Sequence, residues 1–263
     1  MTEQATAQAF VAARREARGL ESYPGTPPAD LATAYRIQDH AILFDGRRVA
    51  GWKVGKINPP LDAALNANRL AGPIFADEVI DAADGHVPDM PVFADGFAAG
   101  EAEFLLHVAA GWAGQVPADD AETHALIDDV RIGIEVASSP YPRINADGPT
   151  VTASDFGNNA GLVLGKPLAG WREIDVNAIP VATLIGGEIA GEATSATMLD
   201  GPFGAVRFLL AHLADRGIAA PDGFWVSSGA VTGVHPVKPG QDVIARFGDH
   251  GEVRCRVVAA QAR

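Results

Sequence analysis

The chain has 263 residues, 48% of them hydrophobic and 20% charged, with a formal net charge of −13 and a pI of about 4.8. That size and balance suit one large globular domain, or a large one with a small appendage. The acidity, with no basic stripe carrying interleaved aromatics, argues against nucleic acid and offers no hold on an acidic membrane surface. The single Cys255 excludes an internal disulfide and cysteine-based metal or redox motifs. No run approaches the ~20 apolar residues of a membrane span, and no basic start leads into an apolar leader, so a cytoplasmic enzyme is expected. An acidic protein that takes an anionic substrate needs local positive charge, from a metal or from a well-placed lysine.

Ala5 to Arg18 is Ala-rich and polar on one side, which predicts a surface helix, and Tyr23-Pro-Gly-Thr-Pro-Pro28 ends it. Asp30 then precedes a second helical pattern, with Leu31, Ala34, Tyr35, Gln38, Ala41 and Ile42 at spacings near 3.6. Together these make a helical N-terminal region over 1–47. From residue 48 the pattern changes to short β-type runs punctuated by Gly and Pro. They are Val49–Val54, Ile74–Phe75, Phe104–Ala109, Val130–Val136, Gly161–Leu164, Val181–Ile185, Phe224–Val226 and Val243–Phe247. Leu184-Ile185-Gly186-Gly187-Glu188 reads as a hairpin turn and lacks the helix opening of a dinucleotide site. One clear helix interrupts the strands: Asp200-Gly-Pro202 opens it, Phe203, Val206, Leu210 and Leu213 form its apolar stripe, and Gly217 stops it. Strands and helices do not alternate as βαβ, so the prediction is a β-rich α+β fold with the catalytic domain over 48–263.

The acids carry the chemistry. Glu101 and Glu103 head the apolar run Phe104-Leu105-Leu106-His107-Val108, and Glu135 is embedded in Arg131-Ile132-Gly133-Ile134-Glu135-Val136. In an extended chain Glu101 and Glu103 point the same way, whereas on a helix they would diverge by about 200°. Two carboxylates about 4 Å apart repel by roughly 4 kcal/mol at an effective dielectric near 20. A divalent cation turns that repulsion into binding, and oxygen-only ligation suits Mg²⁺, Mn²⁺ or Ca²⁺. A solvent-facing pair on an edge strand is the commoner fate of an isolated E-x-E.

Other positions could complete a site. Gly51-Trp52-Lys53-Val54-Gly55 sets a lysine between glycines that allow close approach of a ligand or a backbone; inward, Lys53 would need an anion, and outward it would simply end a strand. Asp77, in Ile74-Phe-Ala-Asp-Glu78, could be a general base, an orienter of Lys53, or a turn aspartate. The loop Ser227-Ser228-Gly229-Ala230 offers hydroxyls and backbone N–H groups to a carboxylate. In Ser154–Gly161, Asn158 or Asn159 contacts ligand or takes a left-handed turn, the turn being the commoner role. There is no G-x-S-x-G nucleophile motif, and the histidines show no zinc spacing.

Taken in order, Gly51-Trp-Lys-Val-Gly55, Phe75-Ala-Asp77, Glu101-Ala-Glu103, Ile134-Glu135-Val136, Asn158-Asn-Ala-Gly161 and Ser228-Gly-Ala230 resemble the fumarylacetoacetate hydrolase superfamily. Within it the chain resembles the 2-oxopent-4-enoate hydratase/4-oxalocrotonate decarboxylase branch, from about residue 30 to the C-terminus. The resemblance implies a mixed β-roll with a small helical N-terminal region, and Mg²⁺ or Mn²⁺ held by Glu101, Glu103 and Glu135. It implies Lys53 and Asp77 as catalytic residues and Ser228 near the substrate; Gly229 and Asn159 are the further substrate contacts expected. It further implies homo-oligomers, and a small 2-oxo acid substrate from the breakdown of aromatic compounds. The chain departs from the family pattern after the third ligand, where it reads Glu135-Val-Ala-Ser-Ser-Pro-Tyr141, and at Gly161 and Asp200–Phe203. The expected reaction is hydration of a 2-hydroxydienoate to a 4-hydroxy-2-oxo acid; the alternatives are decarboxylation of a 2-oxo-enedioate, C–C hydrolysis of an acylpyruvate, or a non-catalytic homologue.

Overall fold

The computed structural model describes residues 1–263. In chain order the elements are α1 (Glu3–Arg15), α2 (Leu31–Asp45), β1 (Val49–Lys56), α3 (Leu61–Leu65), β2 (Arg69–Phe75), β3 (Val79–Asp81) and β4 (Asp89–Val92). There follow β5 (Phe97–Val108), α4 (Asp120–Leu126), β6 (Ile127–Ser139), α5 (Pro149–Ser154), β7 (Asn159–Pro167), β8 (Val181–Ile185) and β9 (Glu188–Ala193). The chain ends with α6 (Gly201–Asp215), β10 (Phe224–Ser227), β11 (His235–Pro236), β12 (Asp242–Phe247) and β13 (Glu252–Ala259). No helix is long and apolar enough to cross a membrane.

Two sheets result. The larger runs β2-β1-β10-β5-β6-β7-β3, with β11 also on β5, and the smaller runs β4-β13-β12-β8-β9. They share one apolar core, in which Phe104 of the first meets Phe247 of the second edge-on at 5.2 Å between ring centroids. Small residues let the layers close: a Cβ on Gly100 would lie 2.8 Å from both methyl carbons of Val243. Beneath this contact β5 and β6 form the longest ladder, paired from Phe97↔Ser139 to Val108↔Ile127. The sequence suggested a strand only from Phe104. The ladder in fact begins seven residues earlier, because tertiary packing overrides the weak strand preference of Ala98, Ala99 and Gly100.

The Asp30 side chain accepts from Thr33 N at 2.7 Å and so starts α2, and Gly46, at φ +73°, closes it. α6 starts on Gly201-Pro202 and its chain turns away at Gly217, where φ is +65°. The first helix is more than the surface helix the sequence suggested. Phe10 is fully buried, and the buried Arg14 donates to both carboxylate oxygens of Asp155 at 2.7 and 3.0 Å and to the carbonyls of Ser138 and Asn159. Arg14 thereby ties α1 to the last residue of β6 but one and the first residue of β7.

Candidate active site

Period-2 geometry builds the acidic cluster. Across the antiparallel β5–β6 ladder, Glu101 lies directly opposite Glu135, and Glu103 lies opposite Gly133. Glu103 shares the face of Glu101, so one face of two adjacent strands presents all three carboxylates. Their ligand oxygens lie within 4.8 Å of one another. All are buried: Glu101 is 3% exposed, and Glu103 and Glu135 are 0%.

Each acid is held from a neighbouring element. Ser227 Oγ, at the end of β10, donates to Glu103 Oε2 at 2.5 Å, and the Gly229 N–H donates to the same oxygen at 3.0 Å. Gly229 takes φ +109°, which a side chain would strain, so the small-residue loop is what brings this N–H onto the carboxylate. Asn159 Nδ2 donates to Glu135 Oε1 at 2.8 Å. On β1, between Gly72 and Ser227, Lys53 sends its ammonium to within 3.2 Å of Glu135 Oε2 and 3.4 Å of Asn158 Oδ1. Its stem passes Gly157, where φ is +62° and a Cβ would stand 2.9 Å from Lys53 Cδ.

The electrostatics show that the protein alone leaves this cluster unbalanced. Burial pushes the Glu101 carboxyl up to about 8, with Lys53 opposing the shift and Glu135 adding to it. Burial, then Glu135 and Glu101, push Glu103 well above the usual carboxylate range. Burial alone would lower the Lys53 pKa, yet the surrounding carboxylates outweigh it and hold the ammonium above its ordinary value. Three buried acids face one buried lysine, and unpaired buried charge costs several kcal/mol per ion. Glu103 Oε1 has no hydrogen-bond partner, and Glu135 Oε2 has no hydrogen bond beyond its ion-pair approach to Lys53. Oxygen-only ligands, two carboxyl groups in excess of the one lysine and an orphaned carboxylate oxygen all fit a hard divalent cation, which would favour their ionised forms.

A cavity of about 690 Å³ opens over this end of β5. Lys53, Glu101, Asn158, Ser228 and Gly229 line it, with Asn145 and Thr152. The structure therefore brings together Lys53, Glu101, Glu103, Glu135, Ser228 and Gly229. It does not bring Asp77. A 3₁₀ turn after β2 carries Asp77 to the surface, where its half-exposed side chain meets Arg47 at 3.2 Å and Arg263 at 3.6 Å. Asn159 is also corrected. It lies beneath Glu135 and donates to that carboxylate, while Asn158, which takes the left-handed turn at φ +61°, lines the cavity. The Ser228 hydroxyl is committed to Phe104 O at 2.8 Å, and Ser227, its neighbour, touches the acid. The sequence pointed to this loop but singled out Ser228, because two adjacent serines in a turn look alike until the strand register separates them.

No model of a known protein family matches the chain. A 4-oxalocrotonate decarboxylase of Pseudomonas putida is 28% identical over 134 residues, covering 51% of this chain and 50% of that protein. The matched stretch thus spans about half the length of that curated relative. Among solved structures, the 4-oxalocrotonate decarboxylase of Pseudomonas putida G7 complexed with magnesium and adipate superposes with a TM-score of 0.79 at 22% identity, over 97% of both chains. The fumarylpyruvate hydrolase of Pseudomonas aeruginosa, in complex with Mn²⁺ and pyruvate, has a TM-score of 0.58 at 14% identity, over 81% of this chain and 91% of that one. The fold is thus fumarylacetoacetate-hydrolase-like, and about half of the chain is similar in sequence to 4-oxalocrotonate decarboxylases.

Proposed function

We propose that the protein is an Mg²⁺- or Mn²⁺-dependent decarboxylase of a 2-oxo-enedioate of the 2-oxohex-3-enedioate type. The observation that carries this reading is the convergence of Glu101, Glu103 and Glu135 beside Lys53 on the wall of one cavity. Glu101, Glu103 and Glu135 would hold the ion, which supplies Lewis acidity toward the 2-oxo acid group. Loss of CO₂ from C6 breaks the C5–C6 bond. Its electron pair moves through the C3–C4 double bond to the 2-oxygen, and one proton gained there gives a 2-hydroxydienoate. The Lys53 ammonium, itself buried, is the chain's own group for holding that negative charge. We place this machinery in 48–263, with the helices of 1–47 bracing it, and expect copies of the chain to associate.

Two observations favour decarboxylation over the hydration expected from sequence. The curated relatives are decarboxylases. The cavity also lacks a carboxylate or imidazole base outside the acidic cluster: Glu101 is the sole acid lining it, and no histidine does. Adding water to C4, or activating water for C–C hydrolysis, calls for a general base beyond the ligand set. Asp77 was the sequence's candidate for that work and stands elsewhere. Decarboxylation asks only for an electron sink and a proton for the 2-oxygen. A ¹H NMR time course with Mg²⁺ tests the reading on 2-oxohex-3-enedioate and 2-hydroxypenta-2,4-dienoate in parallel. Release of CO₂ from the first, with the second unchanged, supports decarboxylation. A 4-hydroxy-2-oxo product from the second shows a hydratase, and inert substrates refute the branch.

A further inference from the structure

The cavity has a second charged end, away from the acids. Arg69 and Lys56, register partners across β2 and β1, both line it. They lie three residues from the Gly72–Lys53 pair in the same ladder, about 10 Å along the strands. The Arg69 side chain is 8% exposed, and the Phe208 ring lies 6.0 Å from its guanidinium carbon. Of the five N–H donors of a guanidinium, the hydrogen bond it makes goes to Asp200 Oδ1. Arg14, the comparably buried arginine of α1, spends its donors on Asp155 and on two backbone carbonyls. Arg69 lines the cavity and makes no other hydrogen bond within the chain. Asp200 is itself shared, because its other oxygen accepts from Arg207 at 3.1 Å. Lys56, exposed at the cavity wall, forms no ion pair. Arg207 also pairs with Asp120, so the two arginines are matched by two acids, and the uncompensated cation on this wall, in a protein whose net charge is −13, is Lys56 beside the Arg69 fork.

We infer that Arg69 and Lys56 form a subsite for the far carboxylate of a dioate, making this cavity selective for 2-oxo dicarboxylic over 2-oxo monocarboxylic acids. The inference rests on the proposed binding of a 2-oxo acid at the Glu101–Glu103–Glu135 end. Charge sets the polarity of the whole cavity: the acids with a divalent ion and Lys53 take the oxo-acid head, and the Arg69 fork takes the tail. The Asp200 partner limits how tightly that tail is held. In a decarboxylation this matters, since the carboxylate on Arg69 becomes neutral CO₂ and any excess grip on it is lost in the transition state. Arg69 is therefore a specificity residue, whose loss raises KM more than it lowers kcat.

Titration calorimetry of the Mg²⁺-loaded protein with 2-oxoadipate and 2-oxohexanoate, which differ only in the far carboxylate, provides the test. The wild type is expected to favour 2-oxoadipate by about ten- to a hundredfold, the range of one charge-assisted hydrogen-bonded pair. Arg69→Met should collapse that ratio toward one. Lys56→Met, at an exposed position that cannot unfold the protein, should reduce the ratio severalfold. Equal binding of both acids by the wild type overturns the subsite while leaving the oxo-acid reading intact. Equal weakening of both acids in Arg69→Met, or an unchanged ratio in both variants, also overturns it and makes Arg69 a structural clamp on α6. Binding of neither acid, or binding that ignores Mg²⁺, brings down the oxo-acid reading as well.

Discussion

Glu101→Gln in the metal-free protein is expected to stabilise the fold, and more so as the pH rises. Glu101 is fully buried, and burial lifts its carboxyl from an ordinary 4.5 to about 8. Between those values the unfolded chain releases the proton while the folded chain keeps it, so the folded state loses ground as pH increases. At 1.36 kcal/mol per unit, the loss accumulated by pH 8 is about 5 kcal/mol, a large part of a typical domain's stability. Below pH 4.5 both states hold the proton and the penalty vanishes. The glutamine is neutral throughout, so it removes the Glu101 share of this dependence and leaves that of Glu103, whose carboxyl burial also pushes up. Chemical unfolding in EDTA from pH 5 to 8.5 should therefore show stability falling in both proteins, and less steeply in Glu101→Gln. Saturating Mg²⁺ should reverse the order at pH 8, because the ion rewards the ionised triad. A wild type whose metal-free stability is flat across that range, or a variant that declines in parallel, would refute the electrostatics on which the site rests.

Other substitutions separate the roles of neighbouring residues. Asn159→Leu removes the hydrogen bond to Glu135 and is expected to weaken Mn²⁺ binding about 10- to 100-fold, measured by calorimetry, with turnover recovered at high metal. Lys53→Met should lower kcat by about 10²- to 10³-fold while Mn²⁺ still binds, and retained turnover would remove Lys53 from the reaction. Asp77→Asn should leave kcat/KM within about twofold and stability within about 1 kcal/mol, since its arginine partners are surface contacts; a hundredfold loss would restore it to the catalytic set.

The site was legible where a short-range rule met a long-range register. Side-chain alternation alone puts Glu101 and Glu103 on one face, and the run around Glu135 is apolar enough to be a central strand, which the β5–β6 ladder makes its partner. Lys53 could be read from its flanking glycines. The supports of the acids were not legible, because Ser227, Gly229 and Asn159 reach them from other strands and loops, across more than twenty positions of chain. Asp77 misled because sequence order puts it beside Phe75, whereas a single turn after β2 sends it outward. β13 left a signal that was overlooked: Glu252-Val-Arg-Cys-Arg-Val257 alternates charged and apolar residues, and the structure buries the apolar set. Arg14 gave no such hint, since a buried arginine on a helix looks like any exposed one until Asp155 is seen opposite.

Crystals grown with Mn²⁺ and measured for its anomalous signal offer the decisive observation. One peak per chain is expected within coordination distance of oxygens from Glu101, Glu103 and Glu135, and it should vanish in Glu103→Gln with the backbone unmoved. A peak at some other cluster of carboxylates, or none at all in well-diffracting wild-type crystals, would mean that these three acids do not grip an ion.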